Sequence, residues 1–129
     1  MSGLHVDIVT PEKIVFSGSA DEIRVPGVNG EFGVLPDHAL FLSLLKGGIL
    51  TITGPQSKRF IIGRGFAEAG ADRVVVLTDS CESTDGVDKI AAAALLADAD
   101  RVLADSAAES DERLIAERNA ELARARLEA

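Results

Sequence analysis

The sequence contains a single cysteine, Cys81, and lacks several features of secreted, membrane-spanning and nucleic-acid-binding proteins. One cysteine cannot form an internal disulfide, and this fits a reducing compartment best. Acidic residues outnumber basic ones by 21 to 13, and the formal net charge of −8 argues against nucleic acid or an anionic membrane surface as the main partner. Because no apolar run approaches the roughly 20 residues of a membrane span, and the first ten residues lack a basic leader, we expect no lipid insertion and no signal peptide.

The composition changes abruptly near Thr84. All four prolines and all five phenylalanines precede it, whereas the remainder is rich in alanine and contains neither proline nor an aromatic residue. Runs of strands followed by runs of helices are typical of separate units. The sequence therefore predicts an α+β chain with a β domain over 1–84 and a helical domain over 85–129.

Short apolar runs between turn signals fill the first unit. Leu4, Val6 and Ile8 alternate with their neighbours at the period of a half-buried strand. Eight to ten short strands with turns this regular predict an antiparallel β-sandwich, because a parallel sheet needs crossover helices. Within it we expect the apolar run 40–45 to turn at Lys46-Gly47-Gly48 and to pair with 49–53 as a hairpin.

The second unit has the pattern of two helices. Good helix formers run from Val87 to about Ala107, and Asp85 is a candidate N-cap. After a break, Ser110 can cap a second helix that continues to the C-terminus. Two helices with a link of about five residues form an antiparallel hairpin. Because alanine buries far less apolar area than leucine, this hairpin should be weakly attached to the sandwich.

The most informative stretch is Gly30–Leu40, which mixes glycine, proline, acids and a histidine around a short apolar core. It predicts a strand over 31–35 that ends at a turn, with Asp37 and His38 exposed at the rim of the sheet. These two residues can be interpreted as an acid–base pair, and a small hydrolase built around His38 is one hypothesis. A turn residue followed by a contact residue is the better interpretation, because sequence neighbours rarely face each other.

Two further motifs have a functional and a structural interpretation. Gly63-Arg64-Gly65 begins like a dinucleotide-binding fingerprint, but Glu68 stands where the third glycine belongs and a strand follows. A tight β connection is therefore the better interpretation. Cys81 has no basic neighbour in sequence and is expected to be an inert, packed thiol.

The two histidines lack the spacing of a metal site, so we expect no metal ion.

Five segments of the β unit form a combined pattern of high specificity. They are His5–Val9, Phe16–Gly18, Gly30–Ala39, Gly65–Glu68 and Val74–Asp79. In order and spacing these segments resemble the epsilon subunit of F-type ATP synthases of the bacterial type. The helical unit fits the same family in length and placement, and less closely in its residues.

The resemblance implies a non-catalytic rotor subunit of the central stalk, peripheral on the cytoplasmic face of the bacterial inner membrane. In this family the sandwich links the gamma subunit, which is the rotating shaft, to the c-ring, so that proton-driven rotation reaches the catalytic alpha/beta head. The ring-facing acidic residue of the family falls on Glu31. Its shaft-contacting histidine falls on His38, with Ser43 nearby. The resemblance implies no cofactor for this role.

The resemblance also implies that the helical hairpin can lie on the sandwich or extend into the catalytic head and block ATP hydrolysis. An ATP-binding motif of some family members aligns with 97–105, where Asp98 and Arg101 remain and three other motif positions differ. An ATP-sensing hairpin is the alternative function, and a solvated ion pair is the alternative interpretation of these two residues. Four arginines, interleaved with glutamates as on an ordinary charged face, are candidates for contact with the head: Arg113, Arg118, Arg124 and Arg126.

Overall fold

A computed structural model describes residues 3–37 and 40–129, which form strands first and helices second. The predicted α+β class is confirmed. The strands are β1 (Leu4–Val9), β2 (Ile14–Ala20), β3 (Glu22–Gly27), β4 (Gly30–Val34), β5 (Phe41–Leu45), β6 (Gly48–Thr53), β7 (Lys58–Ile62), β8 (Gly65–Ala69), β9 (Arg73–Thr78) and β10 (Cys81–Ser83). The helices are α1 (Lys89–Ala104) and α2 (Ser110–Glu128).

The strands form a continuous hydrogen-bonded path in the order β10-β7-β6-β3-β5-β8-β9-β1-β2, and β4 pairs with β3. The path curls into a sandwich because alternate side chains of its strands turn inward to a shared core, which includes Val6, Ile23, Leu50, Ile62 and Val76. The pairs are antiparallel apart from β1 and β9, which run parallel in register from His5 to Val9.

The expected hairpin between 40–45 and 49–53 is wrong. β5 pairs with β8 and at its end with β3, whereas β6 pairs with β3 and β7. The backbone N–H of Lys46 donates to the Pro26 carbonyl oxygen at 2.9 Å, so the chain continues from β5 into β6 along the same edge of β3, and β4 occupies the other edge. This long-range hydrogen bond replaces the local turn that the sequence suggested.

The helix boundaries differ from the expected ones at three places. Asp88, and not Asp85, caps α1 by accepting a hydrogen bond from the Ala91 N–H at 3.0 Å. The cap lies later because Gly86, with φ of 74°, turns the backbone after Asp85. α1 ends at residue 104, earlier than expected, and α2 has Glu109 rather than Ser110 as its N-cap. The proposed domain boundary between 84 and 85 falls in the connection from β10 to α1.

The two helices form the expected antiparallel hairpin and pack on each other largely through small side chains. The buried residues of α2 are all alanines. Three alanines of the pair form a cluster with larger side chains around it: Ala99, Ala116 and Ala120, with Leu96, Val102 and Leu103. Alanine buries little apolar area, so the attachment of the hairpin depends more on polar contacts.

Neither described helix combines the length and the apolar content that crossing a bilayer requires.

Candidate functional site

Glu31 lies at the tip of the β3–β4 hairpin, where it pairs with Pro26. Gly30 has φ of 129°, a conformation that glycine adopts readily, and the resulting turn places Glu31 at the start of β4. The Glu31 carboxylate accepts a hydrogen bond from Arg24 Nε at 3.2 Å, and Arg24 also pairs with Glu22 at 3.4 Å. The Glu31 side chain is 54% exposed. Near the tip, this rim of the sandwich therefore presents the Glu31 carboxylate beside the opposite charge of Arg24.

The turn after β4 has the exposure that the sequence predicted. Asp37 is exposed and adopts φ of 65°, and its backbone N–H donates to the Ala71 carbonyl oxygen. His38 lies outside the described residues. Ser43 is half-buried in β5, and its hydroxyl donates to the Leu44 carbonyl oxygen at 3.3 Å.

Large apolar side chains are exposed on the outer side of β5, β8 and β9. Leu44, Phe66 and Leu77 are neighbours in register across the three strands. Together with Leu42 and Val28 they form a surface, called here the apolar face, whose members are 36 to 66% exposed. Contiguous apolar surface of this kind marks interaction sites more often than ordinary surface. The apolar face is therefore a candidate contact surface.

A polar cluster lies on the same side of the sheet. The Asp7 carboxylate accepts hydrogen bonds from Ser17 and Arg73, both at 2.7 Å, and His5 lies 3.1 Å away. The bond from Ser17 lowers the pKa of Asp7 most, with help from Arg73 and His5, against the opposing effect of burial. Because Ser17 bonds directly to the carboxylate, the cluster is better interpreted as a brace across β1, β2 and β9 than as a nucleophile with its base.

Glu121 holds α2 on the sandwich. Its carboxylate accepts hydrogen bonds from the Gly47 N–H at 2.8 Å and from Arg64 Nε and Nη2 at 3.1 and 2.8 Å. A Cβ atom on Gly47 would lie 2.9 Å from the Glu121 Cβ, so glycine lets the helix approach this closely. We call Glu121, Arg64 and Gly47 the clamp. A second ion pair joins Arg126 to Glu82 at 2.7 Å.

The clamp stabilises the charged form of its carboxylate. Burial would raise the pKa of Glu121, but the hydrogen bonds from Arg64 and Gly47 outweigh it, and the pKa lies below its ordinary value. Sequence reasoning missed the clamp, because nothing local distinguishes Glu121 from the other glutamates of α2.

The four arginines of α2 have different surroundings. Arg113 donates to backbone carbonyl oxygens at the end of α1, and Arg126 forms the ion pair with β10. Arg124 lies 3.7 Å from a carboxylate of α1, and Arg118 is exposed. With the hairpin docked, Arg113 and Arg126 are thus engaged within the chain.

Asp98 and Arg101 form an ion pair with each other on an exposed side of α1. This is the solvated ion pair that the alternative interpretation of the two residues describes. A nucleotide contact at these residues stays a prediction.

For Gly63-Arg64-Gly65 and for Cys81, the structure supports the structural interpretation over the functional one. Gly65 lies within β8, and a Cβ atom there would be 1.9 Å from the Leu77 carbonyl oxygen, so Gly63-Arg64-Gly65 is a tight β connection. Burial raises the pKa of the Cys81 thiol to about 11, with a smaller effect from Glu82. This fits the expected unreactive thiol.

Residues 3–84 match the family model described as the beta-sandwich domain of the ATP synthase delta/epsilon chain. The chain belongs to this family. The epsilon chain of Myxococcus xanthus is 49% identical over 90 residues, which are 68% of this chain and 65% of that one. The epsilon chain of Bradyrhizobium sp. strain BTAi1 is 45% identical over 96 residues, or 73% and 70% of the two chains.

Solved structures show the same fold at low sequence identity. A chain of the Euglena gracilis mitochondrial ATP synthase superposes with a TM-score of 0.84 at 20% identity, over 99% of this chain and 81% of that one. A chain of the Tetrahymena thermophila mitochondrial ATP synthase central stalk and c-ring gives 0.64 at 12% identity, over 98% and 96%. The likeness in fold extends beyond the sandwich, because the two superpositions cover 99% and 98% of this chain.

Proposed function

We propose that this epsilon-family chain is a non-catalytic rotor subunit of a proton-translocating ATP synthase. Its sandwich fixes the gamma shaft to the c-ring, so that rotation driven by protons reaches the catalytic alpha/beta head. The observation that carries the proposal is the apolar face on a sandwich of this family, because one rigid body then offers an apolar surface and a charged rim to two partners. The chain works at the cytoplasmic face of the bacterial inner membrane, bound through protein contacts.

The apolar face is the proposed surface for the shaft. Replacing both Leu42 and Leu44 with serine should weaken binding to purified gamma subunit by about 100-fold or more. Full burial of a leucine contributes roughly 1.5–3 kcal/mol, and about two thirds of each side chain is still exposed in the free chain. Calorimetric titration of gamma measures the affinity. The double variant Leu114→Ser and Ile115→Ser changes two exposed apolar side chains of the hairpin and serves as the matched control. Equal affinities of the two variants would count against the proposal.

Glu31 is the proposed ring contact. The Glu31→Lys variant should uncouple ATP hydrolysis from proton pumping in membrane vesicles, because the new cation faces Arg24 and removes the acidic contact. The melting temperature should change little, since exposed ion pairs contribute about 1 kcal/mol or less. Glu22→Lys changes the other carboxylate on Arg24 and is the control, because it lies at the far end of β3. A large drop in the melting temperature of Glu31→Lys would make the residue structural instead.

Two finer contacts belong to the same proposal. His38 and Ser43 are further proposed contacts with the shaft, and Ser43 lies in the strand that carries Leu42 and Leu44, with its own side chain turned to the other face of β5. The arginines of α2 contact the catalytic head only after the hairpin leaves the sandwich and its helices separate, because Arg126 must give up Glu82 of β10 and Arg113 must give up the end of α1.

A further inference from the structure

A hollow separates the charged rim of the sandwich from the last turns of α2. Its volume is about 270 Å³. Pro26, Glu31 and Lys46 line it on the sandwich side, and Arg124 and Glu128 line it on the hairpin side. We call it the rim hollow. Glu31 therefore shares one concave surface with side chains of the hairpin.

The clamp sets the position of the helix side of the rim hollow. Glu121 precedes Arg124 by three residues, so both side chains lie on one face of α2. Two hydrogen bonds from Arg64 and one from Gly47 hold Glu121 against the sandwich. Ala125 also lines the hollow and is buried, so the helix approaches the β5–β6 connection closely here. Arg124, whose guanidinium lies 3.7 Å from the Asp100 carboxylate of α1, is thus held on the hairpin side of the hollow that Glu31 also lines.

We propose that the docked hairpin completes the contact with the c-ring. Arg124 and Glu128 bind the same polar loop of the ring that meets Glu31. This inference rests on the proposed rotor function and adds a second element to its ring-facing surface. Docking of the hairpin and binding of the ring then favour each other, because the ring contacts residues that only the docked hairpin brings to the rim.

The chemistry of the rim hollow fits a loop of a protein partner. Glu31 and Glu128 are acidic, and Lys46 and Arg124 are basic, so both signs of charge line one small space. Mixed charges select a partner with complementary donors and acceptors, which a polar loop provides. The hollow is smaller than most sites for small molecules, and its size suits side chains of such a loop.

Photo-crosslinking in the assembled ATP synthase tests the proposal. Cysteine is introduced as Glu31→Cys, Arg124→Cys or Ala107→Cys, labelled with a maleimide that carries a photoreactive group, and the crosslink to the ring subunit is detected on a blot. Ala107 lies in the link at the opposite end of the hairpin, roughly 20 Å or more from Arg124 by the helix rise. The unsubstituted chain measures the background from Cys81, whose thiol is half-buried. We expect Glu31→Cys and Arg124→Cys to crosslink at least tenfold more than Ala107→Cys.

A second comparison tests the role of the clamp. Adding Glu121→Ala to Arg124→Cys should reduce the crosslink at least fivefold, whereas adding Glu117→Ala should leave it unchanged. If Glu31→Cys crosslinks and Arg124→Cys does not, the extended surface is wrong and the rotor function stands. If neither crosslinks, the ring contact itself is wrong. If the Arg124→Cys crosslink survives the added Glu121→Ala substitution, the clamp does not set the shared surface. If Arg124→Cys crosslinks to the ring and Glu31→Cys does not, the two residues do not share one surface.

Discussion

The Gly65→Ala substitution is expected to destabilise the sandwich strongly. Gly65 pairs with Leu45 of β5 on one side and with Thr78 of β9 on the other. A Cβ atom would lie 1.9 Å from the Leu77 carbonyl oxygen and 2.8 Å from the Thr78 Cα, both backbone atoms of a paired strand. Relieving the overlap requires β8 and β9 to separate, with a loss on the order of 4 kcal/mol. This is a large part of the roughly 5–15 kcal/mol that stabilises a typical domain.

Urea denaturation followed by circular dichroism measures this loss. Gly70→Ala is the matched control, because its Cβ atom would make an ordinary contact of 3.4 Å with the Leu40 side chain. We expect that variant to lose less than about 1 kcal/mol. Similar denaturation midpoints for the two variants would show that β8 and β9 tolerate a side chain at this position.

The Glu121→Ala substitution is expected to release the hairpin from the sandwich and leave both units folded. It removes three accepted hydrogen bonds and leaves Arg64, whose side chain is 30% exposed, without the carboxylate that it pairs with. The loss should be about 2–3 kcal/mol, below that of a fully buried pair because water reaches Arg64. The buried side chains of α2 are alanines, and their small apolar area compensates little for the lost hydrogen bonds. Faster amide exchange throughout α2, with β6 and β7 unchanged, is the expected result.

The same contact gives docking a defined pH dependence. The pKa of Glu121 is lowered in the docked state, so its contribution is complete above the ordinary glutamate value of about 4.3. The contribution is lost as the pH falls below that value and through the lowered pKa. Glu117→Ala, one turn away on α2, should exchange like the unsubstituted chain. Slow exchange of α2 in Glu121→Ala, or docking that does not weaken in acid, would contradict the role of the clamp.

The sequence predicted the elements of the sandwich better than their partners. Alternation at Leu4, Val6 and Ile8 identifies β1, because burial on one side of a strand produces an alternating pattern in the local sequence. The continuation of β5 into β6 along one edge of β3 depends on a hydrogen bond between Lys46 and Pro26, which are 20 residues apart, and no local sequence pattern reveals it. The parallel pairing of β1 with β9 was missed for the same reason.

The candidate site shows the same limit. Glu31 and Ser43 were found through a resemblance; Glu31 lies at the start of β4 and Ser43 in β5, and their contacts stay predictions. The clamp joins Glu121 to Arg64 across 57 residues, and its pattern exists only in the folded chain. Contacts between the sandwich and the hairpin could therefore not be predicted from the sequence.

The parallel pairing of β1 with β9 has a consequence for biosynthesis. Val6 and Ile8 are made shortly before β2, which can pair with them as soon as it leaves the ribosome. Their other neighbours, Val74 and Val76, are made almost 70 residues later. At about 5–20 residues per second, one edge of β1 stays open for several seconds and is exposed to wrong pairing. The pairing of β1 is therefore completed only after β9 has been made.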